Sequence, residues 1–134
     1  MALEGTHMRF ALDIRDKLGV GDIDAYVSGS VYPDSRYITG IDRFATHPLD
    51  YRTDPMFQKT DFNKGWFAHL LCDDIQQSVV YTVLPHITEG DKNETWIQRT
   101  AIKILQDISR SDSAPRSSPR IARSWVILRN CTAS

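Results

Sequence analysis

An all-α fold is predicted for this 134-residue chain by three features of its sequence. Apolar residues recur at helical spacing in four segments, and Gly19, Pro33 and Pro85 stand where those segments end. No segment alternates polar and apolar residues as a half-buried strand would. The expected architecture is a bundle of about four helices, one of them central, over residues 1–109, with a disordered tail over 110–134.

The first helix is expected from Thr6, as its N-cap, to Leu18, with Gly19 just past its end. Phe10, Ala11, Ile14 and Leu18 make one apolar stripe, and His7 falls on the same stripe, so its imidazole should face the core. A second, shorter helix fits Asp22 to Val31, with Ile23, Tyr26, Val27 and Val31 on one side. Pro33 stops it and holds the preceding residue out of helical geometry, which presents Asp34 just beyond the helix end. Residues 35–59 carry Gly40, Pro48 and Pro55 and keep no sustained period; they read as a long loop with room for a turn of helix.

The strongest helix should run from Asp61, as N-cap, to Leu84. Trp66, Phe67, Leu70, Leu71, Ile75, Val79, Val80 and Val83 make it apolar around much of its circumference, which marks it as the central element. A fourth helix fits Glu94 to Ile108, where Trp96, Ile97, Ala101, Ile104, Leu105 and Ile108 keep helical spacing. Beyond it, residues 110–134 hold five arginines, no lysine and a single acid, Asp112, with Ser and Pro crowded between 111 and 119. That composition fits a disordered segment uninvolved in function. The abrupt change also fits a shift of reading frame, in which case another frame would continue the helical pattern.

The formal net charge is −1, so no bulk attraction to nucleic acid is evident. No apolar run approaches the roughly 20 residues that span a bilayer. The first residues lack the basic and apolar regions of a secretory signal, so a cytoplasmic protein is expected. Cys72 and Cys131 form no Cys-x-x-Cys pair and read as reduced thiols.

Four residues stand out as ligands for a cation. His69 and Asp73 are four apart on the central helix, which sets their Cβ atoms roughly 5–6 Å apart on one face. Trp66, Phe67, Leu70 and Leu71 surround the pair with apolar bulk, and a carboxylate there needs a compensating charge. Asp34 and His47 are spaced for a site built from a loop. Imidazole nitrogen and carboxylate oxygen suit zinc, and the carboxylates also admit manganese or ferrous iron. Each residue alone also fits a plainer role: a helix hydrogen-bond pair for His69 and Asp73, a turn cap for Asp34, a loop histidine for His47. His7 alone fits a satisfied core histidine equally well.

The order Thr6-His7, Tyr32-Pro33-Asp34-Ser35-Arg36, Thr46-His47 and Ala68-His69-Leu70-Leu71-Cys72-Asp73 resembles the zinc-dependent phospholipase C superfamily, which includes the S1/P1-type nucleases. The resemblance covers about the first eighty residues and implies an all-helical fold that hydrolyses phosphodiester bonds at a cluster of zinc ions. It implies that Asp34, His47, His69 and Asp73 hold one zinc, and that Asp73 bridges to a second held by His7. Downstream only His86, Glu89 and Glu94 could complete a further site, so one or two ions are expected. Asp34 would double as general base, and Arg36 or Arg43 would bind a phosphate oxygen of a small phosphoester or phospholipid substrate. The alternatives are a non-catalytic helical domain stapled by metal and an inactive, truncated relative. An HD-type phosphohydrolase would need adjacent His-Asp, which the chain lacks.

Overall fold

The computed structural model describes residues 4–84 and 92–112, and among these every regular element is helical. Helix α1 covers Glu4–Ile14, α2 Ile23–Val31, α3 Arg36–Thr39, α4 Arg43–Thr46, α5 Asp61–Val83 and α6 Lys92–Asp112. Short 3-10 turns occupy Tyr32–Ser35 and Pro55–Gln58. The all-α expectation is met, and so is the central place of α5, against which α1, α2 and the Pro55–Gln58 turn all pack.

Helix α1 begins before Thr6, so Thr6 is not its N-cap. Instead the Thr6 N–H donates to Asp107 Oδ1 on α6 at 2.7 Å, which supplies an acceptor that the first turn of a helix otherwise lacks. Regular α-helix stops at Ile14, and hydrogen-bonded turns carry the chain to Gly19, whose φ of 61° suits a residue without Cβ. Helix α2 starts as expected: the Asp22 carboxylate accepts from the N–H groups of Asp24 and Ala25, both at 3.1 Å. Thr60, not Asp61, caps α5 by accepting from Asn63 N at 3.1 Å. Asp61 instead accepts from Gly21 N and Asp22 N, at 3.1 and 2.7 Å, and so ties the start of α2 to the start of α5. Those two amides and the Lys64 ammonium hold its carboxyl below the usual range.

Helices α2 and α5 cross at backbone contact. A Cβ on Gly29 would fall 1.9 Å from the Phe62 carbonyl oxygen, and one on Gly65 would fall 1.9 Å from that of Tyr26. Two glycines thus let the backbones touch. Tyr26 is fully buried beside Ala11 and Ala68, and its hydroxyl donates to Ala11 O at 2.7 Å, joining α2 to α1. A second apolar cluster of Tyr51, Phe57 and Leu70 packs the loop onto α5. The loop expected over residues 35–59 is more ordered than its composition announced, with two single-turn helices and a 3-10 turn. Trp66 Nε1 donates to Thr46 O at 2.7 Å and fastens the end of α4 to α5.

Helix α6 extends to Asp112, three residues into the segment expected to be tail; residues 113–134, with Cys131, lie outside the described residues. Its apolar stripe does not face the bundle. Trp96, Ile97, Ile104, Leu105 and Ile108 are exposed, as are Ile75, Val79 and Val83 on the second half of α5. Hydrogen bonds link α5 and α6: Gln76 donates to Gln106, and Arg99 donates to the Tyr81 hydroxyl at 2.8 Å. Among the described residues, no helix is long and apolar enough to cross a membrane.

Candidate metal centre

Five side chains, far apart in sequence, converge where α1, α5 and the ends of α2 and α4 meet. His7 comes from α1, Asp34 from the 3-10 turn after α2, His47 from the end of α4, and His69 and Asp73 from α5. His7 and His69 are fully buried, and Asp34 and Asp73 nearly so. Ring centroids lie 3.7 Å apart for His7 and His69, and 5.4 Å apart for His47 and His69. His7, Asp34 and His69 offer ligand atoms that lie within 4.8 Å of one another; so do His47, His69 and Asp73. These His/Asp groups could hold a metal ion.

Hydrogen bonding indicates which nitrogen His69 and His47 present. His69 Nδ1 lies 2.8 Å from the Ser30 carbonyl oxygen, which can only accept, so Nδ1 carries the proton. In the neutral ring, Nε2 is then a bare lone pair. It faces Asp34 Oδ1 at 3.8 Å and Asp73 Oδ2 at 3.6 Å. His47 is arranged in the same way. The Thr46 hydroxyl donates to Arg43 O at 3.2 Å, which leaves its oxygen to accept from His47 Nδ1 at 2.9 Å. His47 Nε2 then faces Asp73 Oδ2 at 3.6 Å.

A lone pair aimed at carboxylate oxygens is repulsive unless something positive lies between them. Ligands about 2.1 Å from a tetrahedral zinc are about 3.4 Å from one another. The 3.6–3.8 Å separations around His69 Nε2 are too long for hydrogen bonds and close to that value. His7 Nδ1, Asp34 Oδ1 and His69 Nε2 are also buried without a hydrogen-bond partner, and such orphans call for an ion or ordered water. The donor set fits a divalent cation.

His7 differs from the other two histidines. Its Nε2 contacts Asp73 Oδ1 at 3.0 Å, a hydrogen-bond distance, and its Nδ1 faces Asp34 Oδ2 at 3.4 Å. Burial alone would depress its pKa, but the flanking carboxylates of Asp34 and Asp73 outweigh burial and raise it. Burial and the neighbouring His7 charge push His69 down to about 4. Asp73 is held well below the usual carboxylate range: burial opposes this, but contacts from His47 and His7 prevail. One Asp73 oxygen faces His7 and the other faces His47 and His69.

A cavity of about 580 Å³ opens beside the cluster, and His47 and Asp73 form its wall; Asp34, His7 and His69 lie behind them. Arg43 lines this cavity. Arg36 does not: its guanidinium stacks 4.5 Å from the centroid of the Tyr37 ring. The lining also includes Arg99, Lys103 and Tyr81, none of which stood out in the sequence. Two cations four apart on an amphipathic helix look like an ordinary solvated face, so only their spacing hinted at a shared role. His86 and Glu89 lie outside the described residues, and Glu94 is exposed. No protein-family model matches the chain, and no curated protein or solved structure matches it either.

Proposed function

We propose that the chain is a metal-dependent hydrolase of phosphodiester bonds, similar in its centre to the zinc-dependent phospholipase C group. The observation that carries this reading is the His69 ring. It is buried and tied through Nδ1 to a backbone carbonyl, so its other nitrogen is turned on two carboxylates. Asp34, His47, His69 and Asp73 would hold one ion, and His7 with the second Asp73 oxygen would hold another. Zinc suits this set, with manganese or ferrous iron as alternatives.

Divalent ions bound there supply Lewis acidity, lowering the pKa of water and offsetting charge on phosphoryl oxygens. The residues of the chain supply the rest. The Ser30 carbonyl and the Thr46 hydroxyl orient His69 and His47. Asp34, which does not line the cavity, would take the proton of the attacking water in this reading. Arg43, which lines the cavity, offers its guanidinium fork to a phosphoryl group of the substrate. A cytoplasmic setting belongs to the same proposal and is checked by cell fractionation.

One observation favours a second reading, a domain stapled by metal with no catalysis. The cluster joins four segments of chain, and its innermost residues, His7 and His69, are sealed from solvent. Elemental analysis of the purified protein, with and without His69→Ala, is the first test: absence of stoichiometric metal in the unmutated protein ends both readings. A chromogenic phosphodiester assayed with added zinc or manganese then separates them. Turnover that falls by about 100-fold or more in Asp34→Asn is the hydrolase result. Zero turnover with a melting temperature that drops on chelation is the staple result.

A further inference from the structure

We infer that Arg43, Arg99 and Lys103 form an anion-binding subsite in the cavity that His47 and Asp73 also line, and that the substrate is a phosphodiester carrying a second phosphoryl group. The choice of substrate rests on the hydrolase reading above; the subsite itself does not. All three cations line one cavity, Arg43 from α4 and the other two from successive turns of α6. Burial depresses the Lys103 ammonium; the charges of Asp73 and Asp34 oppose this, and those of Arg99 and Arg43 add to it.

The acids lining the same cavity make no ion pair with the three cations and place their closest contacts elsewhere. Asp73 contacts His7, His47 and His69, and Asp74 is bound by Arg52 Nη2 at 3.0 Å and by the Tyr51 hydroxyl at 2.5 Å. Among the described residues, Arg43, Arg99 and Lys103 form no ion pair. Arg99 is half-buried, held by its hydrogen bond to Tyr81, and its Nε is buried without a hydrogen-bond partner. A guanidinium restrained in that way, with donors unspent, is prepared for a charged acceptor.

Size and lining set the class of ligand. A volume of about 580 Å³ suits a small organic molecule rather than a polymer groove. Phe44, Leu70, Val80 and Ile102 give the cavity apolar surface for the part of the substrate between its two anionic ends. One phosphoryl group would lie against His47 and Asp73, where the cluster meets the cavity. Three further cations exceed what one singly charged diester needs, and a second phosphoryl group accounts for them.

Inorganic pyrophosphate titrated calorimetrically into the protein as purified tests the subsite. The Arg99→Ala/Lys103→Ala variant should bind it about tenfold or more weakly while retaining its metal content. Arg43 is exposed, so Arg43→Ala leaves folding untouched and should weaken binding independently. Unchanged pyrophosphate affinity in both variants overturns the subsite. The substrate class is tested with p-nitrophenyl diesters that do or do not carry a second phosphate. The doubly phosphorylated diester should have a KM lower by about tenfold, and the α6 variant should erase that difference with kcat retained. Equal KM values overturn the substrate class. Pyrophosphate binding that depends on α6 in a protein holding no metal would sink the hydrolase reading and leave the subsite standing.

Discussion

The imidazoles of His7 and His69 stand 3.7 Å apart, and each turns a nitrogen toward a different oxygen of Asp73. Two buried rings that close cannot both be charged. The pair divides its protons: His7, flanked by two carboxylates, is the one that keeps its charge, and His69 is held neutral.

This division sets the pH dependence of the metal-free protein. The folded pKa of His69, about 4, lies below its unfolded value of 6.5, so the unfolded chain takes up that proton first as pH falls. Its stabilising contribution is complete above pH 6.5 and is lost between 6.5 and 4, roughly 3 kcal/mol. His7 is raised, so its contribution is complete below pH 6.5 and is lost as pH rises through the folded value. Melting temperatures in chelator should therefore peak near pH 6.5 and fall on both sides. Zinc should remove the alkaline decline, because both rings then serve as neutral ligands. A flat profile from pH 4 to 6.5 in chelator would count against the neutral His69.

Thr46→Val keeps the shape of the side chain but deletes the oxygen that accepts from His47 Nδ1. Metal affinity should fall by roughly ten- to a hundredfold, read by competition with a chromophoric zinc chelator. The Trp66 bond is to the Thr46 backbone and survives, so the melting temperature of the metal-free protein should change little. Unchanged affinity would mean that His47 does not ligate.

Gly29→Ala and Gly65→Ala each drive a methyl group into a carbonyl of the facing helix. Neither contact can be relieved by a side-chain rotation. Each substitution should cost about 3 kcal/mol or more, seen in chemical denaturation. Because separating α2 from α5 also moves Ser30 O away from His69 Nδ1, metal affinity should fall in parallel. An alanine at either position with unaltered stability would show that the two backbones are not in contact.

Tyr26→Phe removes one hydroxyl from a fully buried ring and leaves Ala11 O without that donor. The expected loss is about 1–2 kcal/mol. Metal content should stay the same, since Tyr26 touches none of the five clustered side chains through its hydroxyl. A variant as stable as the parent would mean that the Tyr26–Ala11 bond contributes nothing net.

Much of this was legible in the residue pattern, and what was not has physical causes. Helix α2 could be bounded from Asp22 and Pro33, and α5 from its long apolar repeat and Pro85, because caps and prolines act locally. Helices α3 and α4 have four residues each, too few for a period; their local caps, Gly40 and Asp42, are joined by a tertiary anchor, Trp66 on Thr46 O. The spacing of His69 and Asp73 gave a shared face on α5; that His7, Asp34 and His47 meet them there depends on packing that no local pattern encodes. Helix α6 misleads in the opposite sense. Its apolar stripe is exposed, and Arg99 and Lys103 turn inward, because Gln76, Gln106 and Tyr81 set its rotation by hydrogen bonds rather than by burial.

All five clustered His and Asp residues belong to positions 7–73, whereas Arg99 and Lys103 are borne by α6. The two halves of the cavity can therefore vary separately. If the cavity takes a substrate as proposed, replacing residues on the inward side of α6 would change its preference while the His/Asp cluster keeps its architecture.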